Sequence, residues 1–162
     1  MVKIKYLAIF LMFVSSVTYA QKKKNRSGAR YTYDTKCMGT EMDGSYTLES
    51  WGKGRNIFDA TEQAKKNAVR DVMLRGVKEG EGECSRDALI ISPKAESKYE
   101  EYFAAFFTDD GPYLEFVSLK DERILNKVKR NLKRSKEMQQ RMVVVRVNRL
   151  ALKKKLKEDK IR

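Results

Sequence analysis

WGKGRNIFDATEQAKKNAVRDVML, residues 51–74, is the most legible stretch of the chain. From Asn56 to Leu74 the residues Ile57, Ala60, Ala64, Ala68 and Val72 recur at intervals of three and four, the period of one helix face. Val69 and Met73 lie beside them, while Arg55, Glu62, Lys65, Lys66, Arg70 and Asp71 are assigned to the remaining faces. Three alanines in the stripe leave little bulk between the helix and its neighbour. The stripe therefore predicts a helix lying flat and close on a sheet.

Working outward, Cys37–Met42 and Ser45–Trp51 are strand-like around Asp43-Gly44, a hairpin-turn dipeptide. Gly76, Gly80 and Gly82 end the helix, and Glu79 to Pro93 reads as a loop-rich connection. Ala95 to Phe107 predicts a second helix. Its stripe of Tyr99, Tyr102, Phe103, Phe106 and Phe107 is read as core, and Trp51 as a candidate cap of that core. Asp109-Asp110-Gly111-Pro112 is a turn, and Tyr113 to Leu119 alternates as a strand. Residues 121–136 fit either a helix or a basic edge strand. Glu137 to Asn148 predicts a strand with Val143, Val145 and Val147 on one face, and Leu150, Leu152 and Leu156 then begin a lysine-rich helix. This order predicts an α+β domain over residues 30–162: an antiparallel sheet of three to five strands with two or three helices packed on one face.

The chain has 162 residues, with 35 Lys and Arg against 22 Asp and Glu, no His and two Cys, for a net charge of +13. Without histidine there is no Ser-His-Asp triad, no imidazole metal ligand and no histidine pH switch. The charge is unevenly spread. Residues 37–119 hold ten basic and sixteen acidic residues, whereas residues 120–162 hold seventeen basic and five acidic. The middle is acidic and both flanks are basic.

Residues 1–20 have the layout of a secretory signal peptide: Lys3 and Lys5, an apolar run from Ala8 to Val14, then small and polar residues. Cleavage is expected between Ala20 and Gln21, leaving no membrane span in the mature chain. Residues 21–29 are expected to be a disordered basic arm. Export sets how the cysteines read: Cys37 and Cys84 are expected to form a disulfide in an oxidising compartment.

Gly52-x-Gly54 followed by the alanine-spaced helix resembles the N-terminal module of flagellar T-ring proteins and related small exported envelope lipoproteins. The Val143-to-Asn148 strand leading into a Leu-Lys helix is similar to uncharacterised secreted proteins of Bacteroidota. The resemblance implies a cell-envelope assembly module without catalysis. The lipid-anchoring cysteine of the lipoproteins is absent here.

No catalytic, cofactor-binding or metal-binding residue is assigned, and the chain is not expected to be an enzyme. Gly52-Lys53-Gly54 lacks the spacing of a phosphate loop. Glu79, Glu81 and Glu83 offer oxygens to a hard cation but lack an EF-hand pattern, and are read as a solvated loop. The candidate contact residues are basic: Lys127, Lys129, Arg130, Lys133, Arg134, Lys136 and Arg141, with a second cluster at Lys153, Lys154 and Lys155, joined by Lys157. Such a field attracts anionic polymers or lipid surfaces. The expected function is an exported periplasmic, outer-membrane-associated or extracellular interaction module. It would dock on envelope proteins, or on its own kind, through the sheet edge and the basic C-terminal third. The alternatives are a cationic binder of anionic envelope polymers or extracellular nucleic acid, and a hydrolase working without histidine.

Overall fold

A computed structural model describes residues 35–120 and 139–161. The elements run β1 (Lys36–Thr40), β2 (Tyr46–Gly54), α1 (Ile57–Arg70), α2 (Ala95–Lys98), α3 (Glu100–Phe106), β3 (Val117–Leu119), β4 (Gln139–Val147) and α4 (Arg149–Glu158). The strands form one antiparallel sheet in the order β1-β2-β4-β3. This is the expected α+β class. Residues 121–136, including Lys127, Lys129, Arg130, Lys133, Arg134 and Lys136, lie outside the described residues, as do Ala20, Gln21 and the 21–29 arm.

The hairpin between β1 and β2 closes as its sequence requires. Gly44 takes φ +76°, and the Asp43 carboxylate accepts both the Ser45 N–H (3.0 Å) and the Ser45 hydroxyl (2.9 Å). These bonds, the backbone N–H foremost, hold the Asp43 carboxyl below its usual range. Register then places Tyr46, Leu48 and Ser50 of β2 beside Val147, Val145 and Val143 of β4. Period-2 alternation puts all six on one face, and each is less than one-tenth exposed.

α1 packs on that face over β2 and β4, and the two glycines of β2 permit it. A Cβ on Gly52 would fall 2.0 Å from the Ala60 carbonyl oxygen, and one on Gly54 would fall 2.4 Å from the Ala60 nitrogen. Ala60, Ala64 and Ala68 are fully buried against the sheet. Two hydrogen bonds fix the contact: the Ser50 hydroxyl donates to the Ala64 carbonyl (2.9 Å), and the Asn67 amide donates to the Trp51 carbonyl (2.6 Å). Asn56 caps the helix by accepting the Asp59 N–H at 2.8 Å.

Arg70 and Asp71, expected on solvent faces, are each 6% exposed. Asp71 follows Ala64 by seven residues and so falls on the buried stripe. There its carboxylate accepts the Thr35 hydroxyl at 2.5 Å. Arg70 lies under the ring of Phe107, 4.8 Å from the centroid. The helix ends in a π turn, Asp71–Arg75, closed by Gly76 at φ +81°.

Three other expectations change. The single helix over 95–107 is two, meeting at Tyr99, though Phe103, Phe106 and Phe107 still enter the core as expected. Tyr113–Leu119 is a strand only from Val117. Pro112 opens a 3₁₀ turn through Phe116, whose three-residue period buries Tyr113 and Phe116 together. Trp51 does not cap the core; it pairs with Met142 on the sheet face opposite α1.

Candidate docking surface on the C-terminal helix

α4 begins at an Asn148 cap whose side chain accepts the Ala151 N–H (3.0 Å). Leu152 and Leu156 are 0% and 4% exposed, and Ile161, just beyond the helix, is 8% exposed. Beyond the last turn, the Asp159 carboxylate accepts the Tyr102 hydroxyl at 2.7 Å and the Lys155 ammonium at 3.0 Å. The Tyr102 bond first, then Lys155, holds the Asp159 carboxyl below its usual range. Burial first, then the same bond, pushes the Tyr102 hydroxyl up. At the other end, the Arg149 guanidinium lies 5.5 Å from the Tyr46 ring centroid and donates to the Asp87 carbonyl at 3.2 Å. The helix is tied down at both ends.

With about 100° between successive residues, Leu150, Lys154, Lys157 and Glu158 lie opposite Leu152 and Leu156, with Lys153 at the edge of that face. All five are exposed. Lys154 stands 3.9 Å from Glu158, and Lys155 turns aside to Asp159. Among the described residues, no carboxylate comes within ion-pair distance of Lys153 or Lys157. Leu150, expected to help bury the helix, is instead 57% exposed. It abuts the hairpin turn, where a Cβ on Gly44 would meet its Cδ1 at 2.8 Å. At the tip of that turn Met42 is fully exposed.

The structure therefore separates the expected basic residues. Lys153 and Lys154 face outward together, joined by Lys157, while Lys155 serves the ion pair with Asp159. Arg141 is elsewhere: it pairs with Gly52, six residues and about 20 Å of strand before β4 ends. Lys157 belongs to the expected second basic cluster, whereas Leu150 and Met42 were not among the expected contact residues. Helical spacing from the Leu152/Leu156 pair would have found Leu150. Met42 needed the hairpin's position relative to α4.

The cysteines form the expected disulfide, with Cα atoms 6.0 Å apart. It holds the 78–84 loop along the edge of β1. The Cys37 N–H donates to the Lys78 carbonyl (3.0 Å), and the Thr40 hydroxyl donates to the Glu83 carbonyl (2.6 Å). A Cβ on Gly80 would fall 2.0 Å from the Cys37 carbonyl oxygen. The glycines of Glu-Gly-Glu-Gly-Glu thus let the loop lie against the strand, which covers a sheet edge. Among the described residues, no group of three or more carboxylates and cysteines is placed to hold a metal.

A groove of about 590 Å³ lies between α1 and the 109–114 turn. Six of its charges pair with one another. Lys66 pairs with Asp109 (2.7 Å), Lys65 with Glu62 (2.8 Å) and Arg55 with Asp59 (3.0 Å). The Tyr113 hydroxyl donates to Glu62 at 3.1 Å, and burial, then the Glu62 charge, pushes that hydroxyl up. On the outer sheet face Arg146 binds both Glu41 (2.9 Å) and Asp43 (2.6 Å), again a closed set. Lys153 and Lys157 of α4 differ from both, with no carboxylate within ion-pair distance among the described residues.

No protein-family model, no curated protein and no solved structure matches the chain.

Proposed function

We propose that this chain is an exported, non-enzymatic interaction module of the cell envelope, docking on an anionic partner through the outward face of α4. The signal-peptide layout of residues 1–20 and the Cys37–Cys84 bridge support the exported reading. The observation that carries the docking reading is the fixed orientation of α4. Leu152 and Leu156 anchor one side, so Lys153, Lys154 and Lys157 stand to solvent as a preorganised set. Preorganised charges lose less entropy on binding than charges on a floppy tail.

The test is capture from a detergent-solubilised envelope, washed at low and at moderate salt, with the exported chain and with its Lys153→Gln/Lys154→Gln/Lys157→Gln variant as bait. Attraction between exposed charges is screened beyond about 8 Å at physiological salt. Retention at low salt that falls with salt and is absent from the variant supports the proposal. The same material retained by both baits at both salts rejects α4 as the docking surface.

A further inference from the structure

We infer that the partner of α4 is a bilayer surface rich in anionic phospholipid headgroups; this inference rests on the docking reading above and names its partner. The outward face is more than cationic. Leu150 is 57% exposed at the start of the lysine set, and the neighbouring turn presents Met42 with its side chain entirely in water. Large apolar side chains projecting beside lysines match a surface whose charged headgroups overlie hydrocarbon. A soluble polyanion offers the lysines their counter-charge but gives Leu150 and Met42 nothing apolar to enter.

The placement fits a shallow, face-on approach. Lys153 and Lys157 follow Leu150 by three and seven residues, on one side of the helix axis. Lys154 follows by four, on the other side. Lysine stems are apolar and extend while the ammonium stays with the headgroups, so all three reach the same plane as Leu150. Three of the acidic groups nearby carry partners, and exposed Glu158 offsets one of the lysine charges on this face. Glu158 stands by Lys154 at 3.9 Å, Asp159 is bound by Tyr102 and Lys155, and Asp43 is bound by Arg146. Rigid attachment of α4 to the core means the face need not fold on arrival, unlike a basic tail.

A lysine at an anionic membrane surface strengthens binding about fivefold, so removing three costs about 100-fold in partition. Replacing the two apolar tips costs about a further tenfold. The face alone is a weak, reversible anchor.

The experiment uses the chain purified from cells that export it, with vesicles of phosphatidylcholine alone or mixed equally with phosphatidylglycerol. Partition is measured by co-sedimentation. Depth is measured by quenching of tryptophan emission with lipids brominated on the acyl chain, after Trp51→Phe and Leu150→Trp place the sole tryptophan on this face. The inference expects binding to the mixed vesicles only. It also expects about 100-fold loss with Lys153→Gln/Lys154→Gln/Lys157→Gln, and quenching of the introduced fluorophore. Because the altered side chains are exposed, an unchanged circular dichroism spectrum accompanies the loss. Binding that survives the triple substitution overturns the inference, as does binding without quenching. If the envelope capture depends on the three lysines but mixed vesicles are not bound, the lipid inference fails and the docking reading stands. If neither depends on them, both fail.

Discussion

Replacing Gly52 by alanine adds one methyl group at the place where α1 meets the sheet, and the expected damage can be worked from the geometry. The new Cβ would sit 2.0 Å from the Ala60 carbonyl oxygen and 2.4 Å from the Ala64 nitrogen, both main-chain atoms that no rotamer change can move. Contacts that close do not persist, so α1 must withdraw by about 1 Å. A gap of that size forfeits a quarter to a half of each dispersion contact it opens. It also stretches the Ser50–Ala64 and Asn67–Trp51 hydrogen bonds, 2.9 and 2.6 Å in the native chain, each contributing about 1 kcal/mol. With about 1–3 kcal/mol for overpacking, and an opposing gain below about 1 kcal/mol from the stiffer unfolded chain, the net loss is about 2–4 kcal/mol. That is a large share of the stability of a domain this size. Urea unfolding followed by circular dichroism measures it, with Lys53→Ala as the control. Lys53 is exposed between the two glycines, and its replacement should cost less than about 0.5 kcal/mol. A Gly52→Ala variant as stable as the control, with the same denaturant slope, would refute close helix–sheet contact as the basis of the fold.

Other consequences follow from the same structure. Reducing the Cys37–Cys84 bridge releases a constraint over 47 positions and should lower stability by about 4 kcal/mol; the exported chain should weigh about 2 Da less than its reduced form. Alkylation of both thiols without reductant would contradict this. Tyr102 and Tyr113 hold their protons more tightly in the fold than in the unfolded chain. Stability should therefore be intact below pH about 10 and decline as pH rises beyond it, and thermal melts of Tyr113→Phe should show a flatter alkaline limb. Asp159 acts in the opposite direction. Its lowered pKa contributes stability above pH about 4 that is lost on further acidification, and Asp159→Asn should remove that part of the acid limb. An acid limb identical in Asp159→Asn and the native chain would refute the Tyr102–Asp159 tie.

The parts of the fold legible in the sequence were those where one periodicity acts without competition. Ala60, Ala64 and Ala68 announced both a helix and its closeness to a sheet, and Val143, Val145 and Val147 announced a one-sided strand. The misread parts involve two signals at once. Tyr113-Leu114-Glu115-Phe116 alternates like a strand, yet Pro112 sets the backbone for a turn that buries Tyr113 and Phe116 three residues apart. Asp71 looks solvent-bound because it is charged, yet it occupies a stripe position and meets Thr35 from a distant part of the chain. The docking surface was half legible. The basic residues of α4 were plain, but their division between outward Lys153 and Lys154 and inward-paired Lys155 depends on Asp159 being held by Tyr102, a contact 57 residues apart in sequence. Leu150 reads as core by composition, and only the packing of Leu152 and Leu156 turns it outward.

The central claim is that a particular face of α4, rather than net charge, does the binding. The most direct measurement compares two variants of equal charge on an immobilised polyanion eluted with salt: Lys153→Gln/Lys154→Gln/Lys157→Gln, and Lys53→Gln/Lys78→Gln/Lys94→Gln, which removes three exposed lysines from elsewhere. Net charge alone would move both variants equally. The account predicts that the first elutes at much lower salt than the native chain, while the second elutes close to it. Coincident elution of the two variants would contradict the account.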